Sequence, residues 1–579
     1  MKKKILYIAF NILFCMAIFS VVFSGILKDE ITDLDELWNY NTARAIMHGL
    51  IPYKEISMIT TPLLPFIVSI ILKIFGDKLV VFRIVGAILL TAIFYLSYVL
   101  SYKLTKRRII GVITSLTLIL LYKNELAIDY NYFILMIMMC VQILEVKKIE
   151  SIEKSKIKNK KINMYDVIIG ILLGLAICTK QTIGTIISIT VILSELILVE
   201  NKQTFLKYIK ASIVKIISML SVVMIFFLYL LITNSMTDFI NYAILGIRTF
   251  TNKIEYKKLF TLRNKTIVGI AKAEPIAIAL MMTVIGIIKT LSIICKTRIK
   301  EDANDKSKGN AKECNTAKNK TCEDQGKEVK VEIKKYEITE DKKHNNRRRI
   351  YEVYEYLKKY IVIFIAALGM LITMYPISDE IHFMIAIMPI IVIEISIFLD
   401  ILTNVASKDK SQISNFMLYT LEAFLVLFLT YKLCSITYKW TNEYQLANKE
   451  QESSNFEYIP LYKETSEGRK EIADYIKDKR EQGYTVHILD SDAVVYSILT
   501  NNYAKNYDML LKGNIGTDGA KKIMQDIDNC KAGNEKILFL LKKRDRALNW
   551  QSEIEVINYA RENLIEIDEI GIYDVLSKE

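Results

Sequence analysis

Apolar runs of spanning length, broken by short charged stretches, recur from the N-terminus to about residue 435, after which the pattern changes. The first run, Ile5 to about Leu27, follows Lys2-Lys3-Lys4. It exceeds a signal-peptide core, lacks a small-residue cleavage site and matches the ~20 residues that cross a hydrocarbon layer. It predicts a retained first helix with its N-terminus inside. Later runs predict helices at about 79–101, 109–124, 127–146, 164–179, 182–200, 211–233, 273–295, 358–377, 383–402 and 414–435, about eleven spans in all.

The stretch Thr61–Phe75 decides the topology. At roughly fifteen residues, with Pro62, Pro65 and Lys73, it falls short of the ~20 that spanning needs. If it spanned, Lys103–Arg108 and the basic loop Lys147–Lys161 would both lie outside, against the positive-inside rule. Lying along the outer interface as an amphipathic helix, it returns both basic loops to the cytoplasm. The second arrangement is expected. It puts the N-terminus inside a multi-pass plasma-membrane protein and the tail outside.

Two segments break the pattern. Residues 296–357, rich in Lys, Asp, Glu and Asn and poor in aromatics, read as a disordered basic cytoplasmic insertion within a transmembrane domain of residues 1–435. In the tail, 436–579, strand patterns at Tyr484–Leu489 and Lys536–Leu541 stand among helical stretches at 468–480, 519–530 and 550–563. This alternation predicts a soluble exterior α/β domain. The fold class is thus an all-α polytopic membrane protein with juxtamembrane helices in its first exterior loop, plus that domain.

Composition agrees: 52% of residues are hydrophobic, which fits a lipid environment. The formal net charge of +13 lies mainly in short loops, so it marks topology rather than a nucleic-acid partner. The eight cysteines form no CxxC pair and no zinc-ligand spacing with the four histidines. Only Cys530 falls in the exterior tail, so no disulfide is expected there.

In this topology, polar residues gather on the outer rim: Asp33, Asp35 and Glu36 in the first loop, Glu125, Asp129 and Asn131 at the start of the helix at about 127–146, Lys180 and Gln181 between two helices, and Asp379, Glu380 and His382 before another. Ionisable groups at membrane depth are costly and usually line a cavity. Each has a plainer reading. Thr32 with Asp35, or Asp33 with Glu36, has capping-box spacing; Lys180 could snorkel; Asp129 and His382 could be satisfied interfacial groups. The exterior loop 234–272 adds Arg248 and further Lys and Arg residues, a patch suited to a lipid-linked phosphate.

Asp35-Glu36-Leu37-Trp38-Asn39-Tyr40, Ala43-Arg44, His48-Gly49-Leu50-Ile51-Pro52-Tyr53, Thr61-Pro62-Leu63-Leu64-Pro65 and Phe75-Gly76 resemble the first exterior loop of GT-C-fold glycosyltransferases, the protein O-mannosyltransferase and lipid A aminoarabinose transferase group. Asp129-Tyr130-Asn131, Thr179-Lys180-Gln181 and Tyr375-Pro376 with Asp379 and His382-Phe383 are similar to bacterial members. The resemblance covers about 1–435 and is weak in the tail.

It implies transfer of a sugar from a polyprenyl-phosphate carrier to a protein, glycolipid or wall-polymer acceptor at the outer face, with inversion. By analogy Asp35 is the general base. Asp129 is the second acid and Glu36 could share either role; Asp33 and Glu125 are extra, so the choice of base stays open. Lys180, Arg248 and His382 are candidates for the donor phosphate, and Asp33, Tyr53, Asn131, Gln181 and Asp379 for acceptor or sugar contacts. A divalent cation, Mg or Mn, is carried as an open cofactor. The rivals are a flippase of lipid-linked sugars, which calls for midplane polar groups and repeated halves, and a non-catalytic envelope-assembly protein.

Overall fold

The computed structural model describes the chain from Lys2 to Lys578 apart from 32–33, 125, 127, 155–163, 248–357, 376–379, 409–411, 450–452, 461–462 and 534. The expected helix at 273–295 and the insertion 296–357 therefore lie outside the described residues.

The first helix, α1, runs Lys2–Leu27. Two helices follow in the first loop, α2 over Leu34–Met47 and α3 over Leu63–Phe75. Pro62 precedes α3 and Pro65 sits in its first turn, where a missing N–H costs nothing. Ile70, Ile74 and Phe75 leave an exposed apolar stripe on α3, while Leu64, Val68 and Leu72 are buried on its other side. This two-sided pattern is the one an interfacial helix requires.

Next come α4 (Leu79–Thr105), α5 (Arg108–Leu121), α6 (Tyr130–Lys154), α7 (Met164–Thr179), α8 (Gln181–Ser194, extended by a 3₁₀ turn to Leu198) and α9 (Lys202–Ile232). The α4 helix stops where Lys106 turns left-handed at φ 61°, and α9 starts at a capping box between Asn201 and Thr204. This cap moves the start of α9 well before the expected 211. A short α10 (Met236–Phe239) runs into a π turn at Ile240–Leu245. Helix α11 covers 358–368 and tightens to 3₁₀ over Gly369–Met374. Gly369 lies against Ile187 and Thr190 of α8, too close for a Cβ.

Helices α12 (Glu380–Lys408) and α13 (Gln412–Leu446) complete the bundle. The last helix thus continues past the expected 435, and the tail starts later than 436. Among the described residues six helices are long and apolar enough to cross a bilayer, with shorter apolar helices at Leu63–Phe75, Arg108–Leu121 and Met164–Thr179.

The tail holds α14 (Lys463–Glu481), β1 (Thr485–Ile488), α15 (Ala493–Thr500), α16 (Gly519–Lys531), β2 (Ile537–Lys542), α17 (Ile554–Asn563), β3 (Ile565–Ile570) and β4 (Tyr573–Ser577). The strands form one sheet in the order β1-β2-β4-β3, with β1 parallel to β2 and the other pairs antiparallel. The run Ile537–Leu541 is apolar without alternation because both faces of β2 are covered. Leu538 and Leu540 join the core that continues into the helical bundle, and Ile537, Phe539 and Leu541 join a second core under α16 and α17.

Candidate active site

Helix α2 presents different chemistry on its two sides. At about 100° per residue, Asp35, Trp38 and Thr42 share one side, and Tyr40 and Arg44 the other. Asp35 is exposed in the first turn, whereas every residue from Glu36 to Ala45 is buried.

Glu36 does not share the open position of its neighbour. Its carboxylate pairs bidentately with Arg83 of α4, at 2.8 and 2.9 Å. The same guanidinium donates to the carbonyls of Ile26, Asp29 and Glu30 at and just beyond the end of α1. One buried arginine thereby satisfies orphan carbonyls at a helix terminus and ties α1, α2 and α4 together. Tyr53 is also committed: fully buried at φ 68°, it donates to the Thr60 carbonyl at 2.7 Å. Acceptor or sugar contact through this hydroxyl does not fit its place in the packing.

The Tyr40–Arg44 side faces Asp77. Its carboxylate accepts from Tyr40 at 2.9 Å and from Arg44 Nε at 2.8 and 2.9 Å. Arg44 Nη2 also reaches Asn501 Oδ1 of the tail at 2.8 Å, where Asn501 ends α15 in the left-handed conformation that asparagine tolerates. Farther along, the Asn506 amide oxygen accepts from Tyr242 of the π turn at 2.5 Å, and its backbone N–H donates to Ser57 at 2.7 Å. The tail is therefore fastened to the first loop at two places.

Asp129 caps α6. Its Oδ1 accepts from the backbone N–H groups of Asn131 and Tyr132 at 2.7 and 3.0 Å, and its Oδ2 from the Asn131 amide at 2.6 Å. Lys180 precedes α8 in extended conformation. Its ammonium lies 3.3 Å from Asn131 Oδ1 and 4.6 Å from the centre of the Tyr130 ring. Burial lowers its pKa from 10.5 to about 8, while Asp129 and Asp35 pull in the opposite direction. Lys180 thus joins acids from two other segments. Gln181 Nε2 donates to the carbonyls of Ile59 and Ala243, at 3.0 and 2.7 Å, and Thr61 to that of Ile177 at 2.7 Å. These bonds pin the first loop over the α7–α8 turn.

His382 is buried near the start of α12. Asp33, Glu125, Arg248 and Asp379 lie outside the described residues. Among the described residues no group of three or more His, Cys, Asp or Glu side chains is placed to hold a metal ion, and Cys15, Cys140, Cys178, Cys434 and Cys530 are all free thiols.

A second charged cluster lies toward the opposite end of the bundle, roughly 28 Å along α6 from Asp129. Lys148 pairs with Asp166 at 2.5 Å and with Glu195, and Lys215 with Asp166 at 3.3 Å, Glu145 at 3.5 Å and Glu195. All five are buried. Charges inside apolar runs announce such a cluster, but their partners are known only from the packing.

The arrangement of α2 and α3 in the first loop of a helical bundle, with the sheet-bearing tail packed on that same loop, is the GT-C fold of membrane glycosyltransferases. The chain superposes on the aminoarabinose transferase ArnT from Cupriavidus metallidurans bound to undecaprenyl phosphate with a TM-score of 0.50 and 12% identity, over 98% of each chain. The apo form of that protein gives 0.48 at 10% identity, covering 99% of this chain and 98% of that one. The archaeal oligosaccharyltransferase AglB from Archaeoglobus fulgidus, in complex with an inhibitory peptide and a dolichol-phosphate, gives 0.47 at 10%, covering 92% and 69%. No family model and no curated protein matches the sequence.

Proposed function

We propose that this membrane protein is a glycosyltransferase that moves a sugar from a polyprenyl-phosphate carrier to an acceptor hydroxyl at the outer face, with inversion. The observation that carries the reading is the grouping of Asp35, Asp129 and Lys180 from three separate segments, in a chain of this fold. Asp35, exposed in the first turn of α2, takes the proton of the acceptor hydroxyl. The oxygen attacks the anomeric carbon as the bond to the phosphate oxygen breaks. The polyprenyl phosphate leaves with the electron pair, and the Lys180 ammonium offsets its charge. Asp129, held by three donors, orients Asn131 and through it Lys180.

Glu36 and Tyr53 are assigned to the scaffold in this reading. The N-terminus is cytoplasmic and the tail exterior, as the charge of the loops requires. A divalent ion, Mg or Mn, would be held by Asp35 and Asp129 and would help to offset the charge of the leaving phosphate. The test is transfer by the purified protein in lipid, using polyprenyl-phosphate-linked sugars, with Asp35→Asn beside wild type. Transfer that disappears in the folded variant supports the reading, and an Asp35→Asn enzyme as fast as wild type overturns the assignment of the base.

A further inference from the structure

The loop of the tail from Asn501 to Leu511 wraps α2. It meets Arg44 through Asn501 and Tyr503 on one side. On the other, Met509 and Leu511 are buried in one apolar cluster with Trp38, Met58 and Tyr242, and Tyr130 packs against the same cluster. Tyr130 carries the Lys180 ammonium over its ring, so the loop abuts the site just described.

Around this seam, polar atoms are buried without partners. Among the described residues, Trp38 Nε1, Thr42 Oγ1, Gln181 Oε1 and Asp508 Oδ1 have no hydrogen-bond partner. Trp38 and Thr42 lie on the Asp35 side of α2. Gln181 is fixed by its amide nitrogen to Ala243, a member of the cluster, so its oxygen is pre-set. Asp508 adjoins Met509, is 6% exposed, and is near enough to raise the pKa of Tyr242. Leaving buried polar atoms unmatched costs their full desolvation, so a group of them beside a reaction site calls for a ligand.

We propose that Asp508, with Trp38, Thr42 and Gln181, forms the acceptor subsite of this enzyme and binds a neutral, hydroxyl-bearing group. The inference rests on the glycosyltransferase reading above. The set offers two acceptor oxygens, one hydroxyl of either sense and one N–H, which matches vicinal hydroxyls that both donate and accept. It includes no cation, so the donor phosphate belongs with Lys180 instead. Burial pushes the Asp508 carboxyl up to about 7, against the pull of the backbone N–H groups of 508 and 509, and a carboxyl in that state can accept from or donate to a hydroxyl. The tail thereby supplies part of the substrate site, so the bundle alone is an incomplete enzyme.

The experiment uses the full chain in lipid nanodiscs, with a polyprenyl-phosphate sugar turned over by wild type and three hydroxyl-bearing probes: octyl glucoside, a glycerol-headgroup lipid and a Ser/Thr peptide. Donor hydrolysis to water is followed in parallel. Asp508→Asn and Trp38→Phe are expected to raise the acceptor KM at least tenfold. Donor KM and the rate of hydrolysis should stay within twofold, with Asp508→Glu recovering part of the loss. An unchanged acceptor KM in both folded variants overturns the subsite. So does a wild type that hydrolyses donor but transfers to none of the probes. A wild type that neither hydrolyses nor transfers any donor overturns the glycosyltransferase reading itself.

Discussion

Arg83 and Glu36 form a buried bidentate ion pair between α4 and α2, with both side chains nearly inaccessible. Every lone pair of Glu36 used here is spent on holding α2 in register, one residue away from the exposed Asp35. The proposed base and the clamp are adjacent in sequence, one exposed and the other buried.

Breaking that clamp on one side leaves an uncompensated buried charge. Arg83→Ala or Glu36→Ala is expected to destabilise the protein by about 3–5 kcal/mol. The apolar double variant Glu36→Leu/Arg83→Met should lose less than either single change. Thermal unfolding in lipid decides this, and single variants that melt with wild type would remove the clamp from the account.

Asp35→Asn keeps shape and removes the proposed base. Because the side chain is exposed, the midpoint of unfolding should stay within about 1 kcal/mol of wild type, while kcat falls about 10²–10⁴-fold. A comparable loss in Glu36→Gln at unchanged stability would shift the chemistry to Glu36.

Lys180 predicts opposite trends for rate and stability. With its pKa lowered to about 8 by burial, the ammonium is lost as pH rises through that value, and transfer should fall about tenfold per unit above it. Between about 8 and 10.5 the unfolded chain binds more protons at this site than the folded one, so this group makes stability rise with pH. Profiles of kcat/KM and of unfolding from about pH 6.5 to about 9.5 separate the two effects, and Lys180→Met should abolish the alkaline limb.

The Arg44 contacts join the tail to the first loop. Arg44→Ala removes the charged partner of Asp77, which keeps its bond from Tyr40, and the partner of Asn501, and should cost about 1.5–3 kcal/mol for charged hydrogen bonds lost. Hydrogen exchange in 493–511 should accelerate ahead of exchange in the helical bundle. Equal protection in variant and wild type would show that the tail is held by other contacts.

Much of the helical order was legible because apolar periodicity and charge placement are local signals. The short α3 was expected from its length and its prolines, and the two apolar strands β1 and β2 from their runs. The last two strands were not: Ile565–Ile570 is half acidic and its exposed pattern gives no alternation, and only pairing with β4 makes it a strand. The end of α13 was misplaced because its last turns are polar, and α9 was started too late because its Asn201 cap lies before the apolar run.

Sequence alone determined the membrane class and the short helix of the first loop, because burying apolar length and placing Lys and Arg obey rules that act within a segment. It put Asp35 forward as the base, left Glu36 free to share that role, and passed over Asp508. Only the tertiary structure separated them, because a carboxylate's role depends on what faces it. Arg83 claims Glu36 from 47 positions away, whereas Asp508 reaches the seam only because the tail folds back over α2.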